Sequence, residues 1–188
     1  MPFIQTEFDG LMIFEPKVIE DSRGFFMESY NLNTFKNEGN IQAQFVQDNR
    51  SLSHRGVIRG LHYQIGDAAQ AKLVTVLKGE VIDFVVDCRK DSKTYKKSFQ
   101  IHLTETNKKQ LFVPRGFAHG FLVLKDHTEF FYKCDNFYNK DLERGISFFD
   151  PSLDIQIPME QTELIISDKD KAAIYFDDAA AEFHFTTN

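Results

Sequence analysis

The chain has 188 residues, 42% of them hydrophobic, with 20 Phe, no Trp and a formal net charge of −6. That length is most simply one domain over residues 1–188, long enough to bury a sizeable core. The acidic balance argues against a nucleic-acid coat, which needs a basic face, and no apolar stretch approaches the ~20 residues of a membrane helix; an anionic small ligand stays open, because local cations decide that.

The first residues, Met1 to Glu7, lack the basic and apolar regions of a signal peptide, so a cytoplasmic location is expected. In chain order, residues 32–38 read as a short helix. Residues 73–77 and 81–88 are apolar strands joined by Lys78-Gly79-Glu80, a hairpin with Gly79 in the turn. Residues 99–103 alternate apolar and polar, and strands at 111–114, 120–124 and 129–134 follow at intervals of about ten residues. Short strands spaced in this way indicate an antiparallel sandwich or barrel, and an all-β, eight-stranded jelly roll with a few short, mainly C-terminal helices is the specific expectation. Those helices are predicted at 167–173 and 177–182, the first with Ser167 as N-cap and Asp170 in its first turn. Cys88 and Cys134 lie in apolar runs without paired spacing and read as reduced core thiols.

Residues 57–64 (Val-Ile-Arg-Gly-Leu-His-Tyr-Gln), with Lys72 on the next apolar strand, carry the chemistry. Arg59 lies three residues before His62, which in an extended strand sends the two to opposite faces unless Gly60 permits a bulge. Lys72 shares its face with Val74 and Val76, and an ammonium on an apolar face needs a partner. Cations gathered inside a β domain suggest an anionic ligand or developing negative charge. Taken singly, a His in apolar surroundings is more often structural, and a buried Tyr such as Tyr132, on one face with Phe130 and Cys134, is more often core. Near His62, Tyr132 becomes a plausible proton donor. Gly116 to Phe121 reads as a tight turn re-entering a strand, with His119 at the mouth or floor of the cavity. His62 is followed by Tyr63 and Gln64, so a metal-binding His-x-His pair is missing; His54, His102, His119, His127 and His184 are scattered, and no catalytic metal is expected.

Several further segments join these: Asp21-Ser22-Arg23-Gly24-Phe25-Phe26 with Glu28-Ser29-Tyr30, Phe45 to Ser51, Gln70 to Val74, Val86-Asp87-Cys88-Arg89 with Ser92 and Thr94, Phe112 to Phe121, Tyr138, Glu143, Asp150-Pro151, and Ser167 to Asp170. In this order the chain resembles the dTDP-4-dehydrorhamnose 3,5-epimerase family from residue 8 to residue 172. The resemblance implies a metal-free, cupin-like jelly roll, usually a homodimer, acting on a nucleotide-linked 4-keto-6-deoxy sugar without a cofactor. It further implies His62 as general base oriented by Asp170, Tyr132 as general acid and Lys72 as the cation that stabilises the enolate. Arg23, Glu28, Gln47, Asp48, Asn49, Arg59, His119, Glu143 and Lys169 would contact substrate, with Tyr138 beside the thymine. Arg23, Phe26 and Glu28 would reach the site from the partner subunit. The chain departs from the family pattern after Asp170, where Lys171 to Phe176 replace an Ala-Pro-Leu-like stretch.

That chemistry suits the residues. Protons next to a C4 ketone are acidic because the carbanion delocalises onto the oxygen, so a base, a cation and an acid on the opposite ring face are required. A cation about 4 Å from the oxyanion contributes at most ~4 kcal/mol at an effective dielectric of ~20, roughly a thousandfold in rate. No hydride moves, and no glycine-rich dinucleotide fingerprint is present. The competing readings are a mono-epimerase or keto-isomerase on the same scaffold, a non-catalytic sugar-binding β domain, and a metal-dependent cupin.

Overall fold

The alternation in the middle of the chain builds two antiparallel sheets packed face to face. The computed structural model describes residues 2–179, with the side chains of Asp178 and Ala179 left aside. The early strands are β1 (Phe3–Gln5), β2 (Met12–Phe14), β3 (Val18–Asp21), β4 (Gly24–Met27), β5 (Gln47–Ser53), β6 (Val57–Gln64) and β7 (Lys72–Lys78). Then come β8 (Glu80–Asp87), β9 (Ser98–Thr104), β10 (Gln110–Val113), β11 (Phe117–Val123), β12 (Thr128–Cys134), β13 (Glu143–Gly145) and β14 (Ile165–Ile166). The α-helices are α1 (Leu32–Asn37), α2 (Asp168–Lys171) and α3 (Phe176–Ala179).

One sheet has the order β1-β2-β10-β7-β12-β5 and the other β13-β6-β11-β8-β9, with β14 beside β6 and β3–β4 forming a separate hairpin. This is the expected jelly-roll sandwich, enlarged beyond eight strands by short edge strands. Its centre is closed by Val74, Val76, Val81, Val85, Phe121 and Phe130. Behind the second sheet, Phe84, Val86 and Leu122 pack on Ile146, Phe148 and Phe176 from the C-terminal segment. Behind the first, Leu73 and Phe112 meet Phe35 of α1. Strands buried on both faces need no polar alternation, which is why β8 and β11 read as continuous apolar runs.

The predicted helices fall close to the observed ones. Asn31 caps α1 by accepting from the Asn33 and Thr34 N–H groups, and Ser167 caps α2 by accepting from Asp170 N–H. The helix expected at 177–182 begins one residue earlier, and its end, like His184, lies outside the described residues. One expectation needs correction in part: the turn around Gly116 is shorter than predicted, so His119 sits in the middle of β11, and of the two positions expected, mouth or floor, it takes the buried one among the cavity-lining residues. Gly120 serves close packing rather than a turn, since a Cβ there would lie 2.4 Å from the Arg59 carbonyl oxygen.

Along β6 and β11, His62 pairs with His119 but Arg59 pairs with Phe121, so β6 holds one extra residue. The bulge is at Gly60-Leu61, where Gly60 has φ 111° and the peptide is cis. It supplies the condition under which Arg59 and His62 share a face. A Cβ on Gly60 would stand 2.6 Å from the His119 carbonyl oxygen. Gly60→Ala should therefore destabilise the protein by at least about 2 kcal/mol, measured by urea unfolding; an unchanged midpoint would show that the backbone there is not constrained.

Candidate active site

Between the inner faces of the two sheets lies a cavity of about 620 Å³, within the ~300–1,000 Å³ typical of small-molecule sites. The first sheet contributes Asn49, Lys72 and Tyr132, and the second contributes Arg59, His62 and His119. Lys169 and Asp170 close one side from the turn that follows β14.

His62 Nε2 lies 2.6 Å from Asp170 Oδ1, and Asp170 Oδ2 accepts the Gly60 N–H at 3.4 Å. The side chain of Asp170 is only 6% exposed, while that of His62 is 27% exposed toward the cavity. Burial by itself raises the Asp170 carboxyl, but the hydrogen bond and positive charge of His62, with bonds from Ser167 and Gly60, outweigh it and hold the pKa below the ordinary aspartate value. A carboxylate in that position fixes the imidazole tautomer and steadies its protonated form.

Tyr132 sits between Val74 and Asn49 in the strand register. Burial, more than the nearby Cys134 and Glu143, raises its phenol, with Arg59 opposing, so it is neutral at neutral pH. Lys72 is desolvated and its pKa is lowered by that burial, against the pull of Cys134, Asp83 and Glu143.

Asp83 is a residue that the sequence analysis passed over. It is fully buried on β8, and its Oδ2 lies 2.9 Å from His119 Nε2. Burial raises its carboxyl, while His119 and then Lys72 oppose the rise. Its signal was present: a lone Asp between Val81 and Val85 on an apolar face calls for a partner for the same reason as Lys72.

The sequence pattern of the dTDP-4-dehydrorhamnose 3,5-epimerase family matches residues 5–178. The chain belongs to this family. It is an enzyme of the isomerase class, as the family is. A dTDP-4-dehydrorhamnose 3,5-epimerase of Shigella flexneri is 50% identical over 179 residues, 95% of this chain and 98% of the relative. Among solved structures, the family's enzyme from Elizabethkingia anophelis NUHP1 is 46% identical, with TM-score 0.90 over 94% of this chain and 96% of that one. The dTDP-6-deoxy-D-glucose-3,5-epimerase of Legionella pneumophila Philadelphia 1, solved with dTDP-4-keto-L-rhamnose, is 42% identical, with TM-score 0.92 over 98% of each chain. The architecture described above is thus the family's cupin-like jelly roll.

The remaining residues singled out by the family resemblance divide into three groups. Gln47 donates to Asn49 Oδ1 and accepts the Tyr138 N–H, and Tyr138 donates its hydroxyl to Glu143, so these form a rim beside the cavity. Asp48 points to the outer face of the first sheet, where it pairs with Lys133 at 2.9 Å, and its side chain does not join the cavity. Arg23, Phe26 and Glu28 lie on or just after the β3–β4 hairpin, which packs over that same outer face through Phe25 and Met27. Arg23 and Phe26 are well exposed there. Both cysteines are buried and free. Among the described residues, no three His, Cys, Asp or Glu side chains are grouped to hold a metal ion, and no helix is long and apolar enough to cross a membrane.

Because the folded-state pKa of Asp170 is depressed, its ionised form contributes stability above the ordinary aspartate value, and that contribution is lost as pH falls through the lowered pKa. Asp170→Asn should be less stable than the parent at neutral pH by roughly 1.5–3 kcal/mol. The gap should shrink as pH drops below about 3.9. Urea unfolding across that range checks the sign, and a gap that widens toward acid would contradict it.

Proposed function

We propose that the chain epimerises dTDP-4-dehydro-6-deoxy-D-glucose at C3 and C5, giving dTDP-4-dehydro-L-rhamnose. The observation that carries this reading is the convergence on one cavity of the His62–Asp170 pair from one side and of Lys72 and Tyr132 from the opposing sheet. With Nε2 directed at Asp170, Nδ1 is the nitrogen left to take a proton from carbon. The C–H electron pair moves into the ring and onto the C4 oxygen, where the Lys72 ammonium meets the developing charge. Tyr132, on the opposite wall, then delivers its phenolic proton to the other face of the carbon. His62 releases its proton to solvent and the tyrosinate regains one, resetting the site for the second carbon.

Arg59, with its forked donors, suits a diphosphate. Asn49, His119 and Lys169 would contact the sugar and phosphates, and Gln47, Tyr138 and Glu143 would border the nucleoside. Arg23, Phe26 and Glu28 lie across a sheet from their own chain's cavity, which favours their use by a second copy of the chain in a homodimer. No cofactor takes part in this scheme.

His62→Ala should lose solvent-deuterium incorporation at both C3 and C5 while keeping its fold, followed by proton NMR in deuterated water. Exchange at one carbon only in the parent would point instead to a mono-epimerase. Tyr132→Phe should slow inversion more than exchange, because abstraction precedes its step; equal slowing of both would argue against the acid role. If the hairpin acts across a dimer, mixing inactive His62→Ala with an impaired Arg23→Ala chain should restore roughly a quarter of the parental sites. No recovery after refolding the mixture would place Arg23 outside the partner's site.

A further inference from the structure

The helix α2 has four residues, of which Asp170 turns its side chain inward while the others stay at the surface, and a single turn does not hold itself together in water. It nevertheless carries Asp170, whose carboxylate has to meet the His62 ring at hydrogen-bond distance. The bonds inside the turn, Asp170 N–H to Ser167 Oγ at 3.1 Å and Lys171 N–H to the Ser167 carbonyl at 2.9 Å, shape it but do not set its place against the sheet. The β14–β6 pairing before the turn and the Ile146–Ile174 bridge after it fasten its flanks, and two ionic side-chain contacts hold the turn itself. One is Asp170 itself; the other is Lys169, whose ammonium lies 2.6 Å from Glu143 Oε2.

Glu143 is well placed to act as an anchor. Its backbone pairs with Gln64, two residues beyond His62 on β6, and Gly145 of the same short strand pairs with His62. Its side chain is only 16% exposed, and the oxygen that meets Lys169 also accepts the Tyr138 hydroxyl at 3.0 Å. The carboxylate is thus engaged by two donors within the protein.

We infer that Glu143 is a positioning residue for the His62–Asp170 pair: through Lys169 it pins the turn that carries Asp170 to the strand that carries His62. The inference rests on the proposed role of that pair as the base. It gives Glu143 a task beyond bordering the nucleoside, and it links the rim residue Tyr138 to the same turn.

A double-mutant cycle tests it, with kcat, KM and deuterium exchange at C3 and C5 measured on the full chain. Glu143→Gln should lower kcat roughly ten- to a hundredfold, the loss expected when a reacting group shifts by about an ångström. KM is expected to rise as well, because Glu143 also borders the nucleoside, so the positioning role is read from kcat at saturating substrate and from deuterium exchange. In an Asp170→Asn background the same change should cost less than about threefold, because the anchored group no longer orients the base. Reversing the pair with Glu143→Lys and Lys169→Glu together should recover part of the kcat lost by Glu143→Gln at saturating substrate, even though KM rises because Lys169 also faces the phosphates, whereas a direct substrate contact of Glu143 would not be rescued. Additive losses in the cycle, or a raised KM with kcat intact, would overturn the anchoring role while leaving the base assignment standing. A parental rate for Asp170→Asn alone would remove the base assignment and this inference with it.

Discussion

A β-strand sends successive side chains to opposite faces, and in β6 that rule is broken once. The extra residue at Gly60-Leu61 lets Val57, Arg59 and His62 face the cavity, while Ile58, Leu61 and Tyr63 enter the apolar layer behind the sheet. With a regular strand, either the guanidinium or the imidazole would be driven into that layer against Phe148. The irregularity is held from both sides, by β11 on one edge and on the other by reciprocal backbone bonds between Leu61 and Ile146. Only glycine fits, because the His119 carbonyl occupies the space where a side chain would begin. The bulge also directs the Gly60 N–H at Asp170, so the feature that aims His62 contributes to seating its carboxylate partner.

Burial of charge is the second organising feature. Lys72 and Asp83 are both desolvated, and each is pushed toward its neutral form, Lys72 downward and Asp83 upward. Their mutual attraction, with His119 hydrogen-bonded to Asp83, opposes both shifts. A cation held in this way is poorly solvated by water and is already oriented when negative charge forms beside it, which is the condition under which electrostatic stabilisation is strong. Arg59 differs: it lies at the more open part of the cavity, bonded weakly to Ser53 at 3.3 and 3.4 Å, as suits a group that meets a bulky anion from solvent.

Much of this was legible in the sequence because the informative residues violate local patterns. Lys72 stands out on an apolar face, and the hairpin at Gly79 and the Ser167 cap follow from rules that act over a few residues. What was missed divides between local patterns that were not followed through, at Asp48 and Asp83, and contacts from distant segments, at Gly120. Asp48 stood in the same recognisable run as Gln47 and Asn49, but strand alternation turns its side chain to the opposite face, where Lys133 takes it. Asp83 was read as one more position in an apolar strand, although its setting mirrors that of Lys72. His119 was placed in a turn because two glycines flank it, whereas Gly120 is required by the Arg59 backbone and the Phe148 ring across the sheet. Neither contact has a signature in the local sequence.

The segment after Asp170 departs from the family pattern, yet the fold uses it to seat the dyad. Ile174 bridges Ile146 in parallel, the Ser147 N–H donates to the Ile174 carbonyl, and Phe176 is buried, with its N–H on Asp150. Ile146 is the residue that brackets Leu61 at the bulge. The chain leaving α2 is therefore fastened to the same short stretch that holds β6 in its irregular form, and β14, leading into α2, pairs with the other half of β6. Asp170 is fixed by what comes before it, by what comes after it, and by the Glu143–Lys169 contact at its side. A substitution that preserved apolar size at Phe176 would keep this seat, because Phe176 packs in the layer behind the second sheet while the half-exposed Ile174 takes part through its backbone bridge to Ile146. Despite the departure in sequence, the His62–Asp170 contact is held at 2.6 Å.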